Sequence, residues 1–178
     1  MSANTELAAR IAARATLHGE FLLRSGTTSN IYFDKYLFES DPVLLREIAA
    51  AMQPLVPNDV DALAALEMGG IPVGTLLSQG TGLPLLFVRK EAKAYGTCKL
   101  AEGGKVEGQR LLIIEDVVTS GGQILLSAKA LRDRGAIIDT VLCVVDRESG
   151  GTENLAEEGL TLRPLFRRSD LQPDEAQA

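Results

Sequence analysis

The chain has 178 residues and a formal net charge of −6, with 46% hydrophobic and 24% charged residues. This length suits one domain, and the composition excludes disordered and fibrous proteins. The acidic balance argues against nucleic acid or an anionic membrane as partner, although a local basic patch could bind a small polyanion. Because no apolar run reaches the roughly 18 residues of a membrane span and no secretory leader is recognisable, we expect a cytoplasmic protein.

The first third of the chain predicts a small unit ahead of the main sheet. A helix is expected over residues 6–17, closed by Gly19, with His18 as a capping or surface residue of that helix. Two short strands, 21–23 and 31–38, flank a run of turn-forming residues. Asp41 followed by Pro42 is typical of a helix start, and this second helix should end near Pro54.

From residue 62 onward strands and helices alternate. The apolar runs 62–66, 83–88, 110–115 and 137–145 predict strands, and helices are expected at 72–78 and 122–134, with Gly80 and Gly135 just past their ends. Such alternation predicts βαβ units and a parallel sheet. Residues 90–108 form a long loop with four glycines, a length typical of functional or disordered segments. The expected fold is therefore α/β, a mostly parallel sheet flanked by helices.

Residues 111–123, LLIIEDVVTSGGQ, carry the strongest chemical signal, and we call them the donor motif. A strand leads into Glu115 and Asp116, and the hydroxyl- and glycine-rich turn 119–122 then opens a helix. Glycines admit a ligand close to the backbone, and a helix N-terminus offers free N–H groups and partial positive charge, which suits a phosphate. Two adjacent carboxylates suit instead the hydroxyls of a ribose. The motif predicts a sugar-phosphate site at the carboxyl end of a parallel strand.

Two alternative interpretations remain open at this point. Neither GxxxxGK[ST] nor GxGxxG occurs, so the donor motif could be an ordinary strand-to-helix turn with a Thr-Ser cap and an acidic surface pair. Residues 89–110 hold six basic side chains against three acidic ones, which favours pyrophosphate but also fits a solvated charged loop.

The motif IIEDVVTSGGQI resembles the phosphoribosyl pyrophosphate signature of the type I phosphoribosyltransferases. Three further segments, FLLRSGTTSNIYFD, EMGGIP and RKEAKAYG, resemble the orotate phosphoribosyltransferase branch of that family, and VVDRESGG extends the match over most of the chain. The resemblance implies the type I phosphoribosyltransferase fold as one domain over 1–178. Within it, 1–40 would form an N-terminal hood over the base pocket, and 90–108 a mobile catalytic loop.

The resemblance implies residues for binding the donor, 5-phospho-α-D-ribose 1-diphosphate (PRPP). They are Arg24, Met68, Gly69, Arg89, Lys90, Lys93, Tyr95, Glu115, Asp116, Val117, Val118, Thr119, Ser120, Gly121, Gly122 and Gln123. Met68 and Gly69 carry over only as backbone contacts, because some relatives have Tyr-Lys there. Tyr95 stands where many relatives have histidine, so only a contact role is expected for it.

Lys93, Glu115 and Asp116 are the catalytic candidates that the resemblance implies. Lys93 would lie on a loop that closes over the neighbouring subunit's site, which implies a homodimer. The implied reaction is transfer of phosphoribose from PRPP to orotate, giving orotidine 5'-monophosphate and diphosphate, with Mg²⁺ held mainly by PRPP and not directly by the protein.

For the base, the resemblance nominates Tyr32 and Phe33 as the wall of the pocket, Arg147 as the partner of the orotate carboxylate, and Thr119 as a further contact. Ordinary strand packing is the alternative for the two aromatic residues, and a surface ion pair with Glu148 is the alternative for Arg147. Two other functions stay open: transfer to a different base, and a nucleotide-sensing regulator without turnover.

Overall fold

A computed structural model of the protein describes residues 3–22, 26–91 and 100–171. Its main sheet has six strands in the order β5-β4-β3-β6-β7-β8. They are β3 (Ala62–Leu66), β4 (Leu85–Val88), β5 (Ala101–Glu102), β6 (Leu111–Val118), β7 (Thr140–Asp146) and β8 (Thr161–Arg167). All neighbours pair in parallel except β4 and β5. The predicted α/β class with a mostly parallel sheet is confirmed.

Helices cover both faces of this sheet. They are α1 (Ala3–Ala15), α2 (Lys35–Glu39), α3 (Pro42–Met52), α4 (Gly70–Thr81), α5 (Gly122–Arg132), α6 (Gly151–Glu157) and α7 (Arg168–Leu171). Successive strand side chains point to opposite faces, so Leu112 belongs to the same core cluster as Leu77 of α4, whereas Ile113 belongs to the other cluster with Leu131 of α5. A strand that is apolar on both faces needs this double cover.

The N-terminal hairpin differs from the prediction. It consists of β1 (Thr16–Leu22) and β2 (Thr28–Phe33), paired antiparallel. The opening helix stops at Ala15, because the following residues pair with β2, so Gly19 is not a helix cap and His18 is an exposed strand residue. The second predicted strand ends at Phe33, where the Asp34 side chain accepts a hydrogen bond from Tyr36 N and begins α2.

In the main body most predicted elements exist, with shifted ends. Asp41 caps α3 through Val43 N and Leu44 N as expected. The predicted cap at Gly80 is wrong: α4 continues to Thr81 and closes at the left-handed Gly82 (φ 76°). Gly80 instead lets the Gln53 side chain pack against the helix. The elements α6, β8 and α7 were not predicted.

The carboxyl ends of the parallel strands lie along one edge of the sheet. From β3 the chain passes to β4 on one side, and then crosses to β6 on the other side of β3. The gap between the ends of β3 and β6 is therefore the point where the order reverses, which is the usual ligand site in such sheets. Within the described ranges, no helix is long and apolar enough to cross a membrane.

Packing against the sheet predicts the cost of shortening a core leucine. Leu77 of α4 is fully buried, so Leu77→Ala should lower the free energy of unfolding by about 3 kcal/mol through lost burial and a cavity. Leu126 of α5 is 66% exposed, and Leu126→Ala should change it by less than about 0.5 kcal/mol. Urea denaturation of both variants checks this, and equal losses would contradict the packing described.

Candidate active site

The turn of the donor motif forms an open cavity of about 350 Å³ at the end of β6. The residues that line it are Glu115, Val117, Val118, Thr119, Ser120, Gly121, Gly122, Gln123 and Ile124. Gly121 is left-handed (φ 77°), and it is the cap from which α5 starts. Because the first N–H groups of a helix have no partner within that helix, this cavity offers backbone donors and a positive dipole end. We call it the donor cavity.

Helix α6, which was not predicted, supports this turn from behind. Asn154 donates a hydrogen bond from Nδ2 to Ser120 O at 2.9 Å. Gly151 lies so close to the turn that a Cβ there would be 2.4 Å from Thr119 O. Leu155, which is fully buried, touches Gly121 from the same side. These contacts hold the backbone of the turn in place before any ligand binds.

The two adjacent carboxyl groups lie in different surroundings at the end of β6. Glu115 is half-buried and lines the donor cavity. Asp116 is fully buried and does not line it. Its Oδ2 is 2.6 Å from Lys35 Nζ, and its Oδ1 accepts a hydrogen bond from Val117 N at 2.6 Å. From the sequence, both carboxyl groups were expected to contact the ribose. In the structure only Glu115 of the two lines the donor cavity.

Asp116 belongs to a buried acidic cluster with Lys35, Glu39 and Glu115. Burial raises the pKa of Glu39 to about 9, and its hydrogen bond to Asp116 and the charge of Asp116 act in the same direction. Burial also raises the pKa of Glu115 well above its usual range, together with its hydrogen bond to Asp116. Burial opposes ionisation of Asp116 too, but hydrogen bonds from Glu39, Glu115 and Lys35 bring its pKa below the ordinary value.

The raised pKa values of Glu39 and Glu115 reduce the negative charge of this cluster. Lys35 and Asp116 form one ion pair, Glu39 with its pKa of about 9 favours its neutral form, and the raised pKa of Glu115 makes it easier to protonate than an ordinary glutamate. Burial lowers the pKa of Lys35, but its hydrogen bond to Asp116 outweighs this and the pKa is raised. A neutral Glu115 can exchange hydrogen bonds with sugar hydroxyls, and it repels an anionic ligand far less than a carboxylate would.

The turn between β3 and α4 lies against this cluster. A Cβ on Gly69 would be 1.6 Å from Asp116 Oδ2, and a Cβ on Gly70 would be 2.3 Å from Ile114 O. At Gly70 the obstacle is the backbone of β6, so only glycine fits there, whereas a side chain at Gly69 would have to displace the Asp116 carboxylate. The peptide bond from Glu67 to Met68 is cis, and the Met68 side chain is 61% exposed. Backbone groups of this turn are the contacts that it can offer a ligand.

Arg89 and Lys90 follow β4 at the same edge of the sheet. Glu67 accepts a hydrogen bond from Lys90 N at 2.7 Å, which ties this segment to the turn after β3. Arg89 is half-buried, and its buried Nε has no hydrogen-bond partner among the described residues. The predicted donor contacts Arg24, Lys93 and Tyr95 lie outside the described residues.

A second cavity, of about 380 Å³, lies between the hairpin and the ends of β7 and β8. We call it the base cavity; its lining is Thr16, Ser29, Asn30, Ile31, Tyr32, Phe33, Val145, Arg147, Arg168 and Leu171. The guanidinium carbon of Arg147 is 5.5 Å from the centre of the Phe33 ring. The structure thus brings Tyr32, Phe33 and Arg147 together, while Thr119 lines the donor cavity instead.

Arg168 in this lining was not predicted. It follows β8, and the sequence of that strand, TLRPLFR, has two arginines and a proline that obscure the apolar pattern of a strand. One sequence feature could have identified Arg168: it follows Phe166 by two residues, and Phe166 is a buried residue at the end of a short apolar run.

Comparison with known proteins identifies the family of the chain. A model of the phosphoribosyl transferase domain matches residues 39–158, more than half of the chain. The orotate phosphoribosyltransferase of a Nocardioides species is 49% identical, with 96% of each chain covered. That of Halobacterium salinarum is 42% identical, with 96% of this chain and 98% of the relative covered. The chain belongs to the orotate phosphoribosyltransferase family.

Solved structures of this family have the same fold. The Mycobacterium tuberculosis orotate phosphoribosyltransferase in complex with PRPP superposes with a TM-score of 0.81 at 29% identity, covering 94% of this chain and 98% of that one. The type I phosphoribosyltransferase fold expected from the donor motif is therefore confirmed.

The acidic cluster predicts a dependence of stability on pH. The folded-state pKa of Glu39, about 9, lies above its ordinary 4.5, so its proton stabilises the folded chain at low pH, and this stabilisation is lost as pH rises from 4.5 towards 9. Glutamine keeps a hydrogen-bond donor but cannot ionise. The free energy of unfolding of the wild type, minus that of Glu39→Gln, should therefore fall steadily across this pH range.

Denaturant unfolding at several pH values gives this difference directly. Glu158→Gln, which removes a carboxylate from an exposed position, is the control. A difference for Glu39→Gln that stays constant or rises with pH would contradict a protonated Glu39.

Proposed function

We propose that the chain transfers the phosphoribosyl group of PRPP to orotate, giving orotidine 5'-monophosphate and diphosphate. The observation that carries this is the pairing of two different cavities along one sheet edge. The donor cavity combines a helix N-terminus with Glu115, which suits a sugar phosphate. The base cavity combines two aromatic rings with guanidinium groups, which suits a flat anionic ring. The named activity of the relatives and the PRPP complex of a neighbour support the same assignment.

In this proposal the turn 119–122 binds the 5'-phosphate of the donor. Its backbone N–H groups and the hydroxyls of Thr119 and Ser120 donate to the phosphate oxygens, and the α5 dipole stabilises their charge. Glu115 lies in the same cavity and forms hydrogen bonds with the ribose hydroxyls. Asp116 supports the site from behind through its pair with Lys35, and a ribose contact by Asp116 itself remains a prediction from the family resemblance.

The reaction is a displacement at the anomeric carbon, through a state in which positive charge grows on the sugar and negative charge on the departing diphosphate. Arg89, Lys90 and the backbone of the turn after β3 lie at the sheet edge where the diphosphate would leave. Cationic groups and backbone donors stabilise that charge most strongly when water is excluded. We assign this stabilisation to Arg89, Lys90, Arg24 and Lys93, with Lys93 and Tyr95 supplied by the partner subunit of a homodimer.

Magnesium is expected on the diphosphate oxygens of the donor, which are the hard ligands that it prefers. Bound there, it would neutralise part of the charge on the leaving group. Among the described residues, no group of three or more His, Cys, Asp or Glu side chains is placed to hold a metal ion. Glu115 is the carboxylate of the donor cavity, and its neutral form favours contact with sugar hydroxyls.

The assignment predicts that purified protein mixed with PRPP and magnesium consumes orotate. The loss of orotate absorbance in the ultraviolet follows the reaction, and chromatography identifies orotidine 5'-monophosphate as the product. Parallel reactions with adenine, hypoxanthine and uracil test other acceptors. Turnover of one of these with orotate unchanged would overturn the choice of base, and no turnover with any base would support a regulator instead.

The proposed role of Lys93 predicts a loss of turnover. Lys93→Ala should lower kcat by about 100-fold or more, because it removes charge that stabilises the leaving diphosphate, while the KM for orotate changes little. Lys105→Ala, an exposed lysine of the same segment, is the matched control and should keep wild-type kcat. Tyr95→Phe should lose much less than Lys93→Ala. A Lys93→Ala enzyme with full turnover would remove Lys93 from the mechanism.

A further inference from the structure

Two arginines leave neighbouring strands side by side. Asp146, the last residue of β7, is paired in register with Arg167, the last residue of β8. The next residue on each strand is an arginine, Arg147 after β7 and Arg168 after β8. Because parallel strands in register lie about 5 Å apart, the two arginines start from adjacent backbone positions. Both side chains line the base cavity.

The acidic residues near these arginines are occupied elsewhere. Glu148, the expected ion-pair partner of Arg147, accepts hydrogen bonds from Ser169 N and Ser169 Oγ at 2.9 and 3.2 Å. Asp170 accepts from Arg167 N at 2.7 Å. Asp146 accepts hydrogen bonds from Glu148 N and from the Thr152 hydroxyl. Within the described ranges neither Arg147 nor Arg168 forms an ion pair.

The described lining of the base cavity therefore carries positive charge that no carboxylate of that lining neutralises. Among the residues that the structure describes, its lining contains two guanidinium groups and no carboxylate. The pKa of Arg147 is lowered, first by burial and then by the charge of Arg168, which indicates that the two cations are close enough to repel each other. An anion that binds between them removes this repulsion and gains hydrogen bonds from both.

We propose that Arg168 is a second binding residue for the carboxylate of the base, so that two guanidinium groups select an acceptor ring that carries an anionic substituent. The inference rests on the proposed function, since it takes a flat carboxylated base as the occupant of the cavity. A carboxylate has about four acceptor positions, enough for a bidentate contact with one arginine and a further bond from the other. Phe33, which lies against Arg147, would hold the plane of the ring.

The test is a pair of neutral substitutions at neighbouring arginines. Arg168→Gln removes the second guanidinium, while Arg167→Gln makes the same charge change one residue earlier, where the side chain lines a different surface with Asp146 and Glu148. Arg168→Gln should raise the KM for orotate roughly tenfold or more, the size of one hydrogen bond to a charged group, with kcat and the KM for PRPP nearly unchanged. Arg168→Lys should lie between the wild type and Arg168→Gln, because it keeps the charge but loses the planar fork.

A second probe separates a carboxylate contact from a general effect of charge. Equilibrium titration with orotate and with its neutral 6-carboxamide analogue gives two affinities for each variant. Wild type and Arg167→Gln should prefer orotate strongly, and Arg168→Gln should lose roughly tenfold of that preference. Unchanged preference in Arg168→Gln, or equal losses in both variants, would overturn the inference.

The two proposals fail in different ways. If the wild type binds orotate without turning it over, the proposed function fails, and the titrations still decide the role of Arg168. If the wild type turns over orotate but Arg168→Gln matches it in KM and in preference, only the role of Arg168 fails. If the wild type neither binds nor consumes orotate, both are wrong.

Discussion

The ion pair between Lys35 and Asp116 is the contact on which the rest of the site depends. Asp116 is fully buried at the end of the central strand, and Lys35 reaches it from α2, directly after the hairpin strand that ends in Phe33. A buried carboxylate without its partner is strongly unfavourable, so this contact fixes the hairpin to the sheet. The wall of the base cavity and the support of the donor cavity are thereby parts of one packed unit.

Local charge, not net charge, decides what this acidic protein can bind. The whole chain carries −6, yet the donor cavity presents a helix N-terminus, and burial raises the pKa of its Glu115. The described part of the base cavity presents two guanidinium groups and no carboxylate. Burial raises the pKa of Glu115, which reduces its repulsion of an anion, and the two arginines have no ion-pair partner among the described residues, so a ligand can neutralise them.

Much of the fold could be predicted from the sequence, since the strands around the donor motif are short apolar runs and the motif contains its own helix start. The orientation of Asp116 could not, because its partners Lys35 and Glu39 come from a helix about 80 residues earlier that was expected to be a strand. Likewise Arg168 was missed because Arg163 and Pro164 hide the pattern of β8. Local chemistry is readable from local sequence, whereas contacts between distant segments need the topology.

A crystal structure with bound orotidine 5'-monophosphate would test most directly the claim that two cavities along one sheet edge hold the two halves of the product. We expect the phosphate on the backbone N–H groups of residues 119–122, the ring between Tyr32 and Phe33, and its carboxylate in contact with Arg147 and Arg168. A phosphate bound elsewhere, or a base outside the cavity that those residues line, would contradict it.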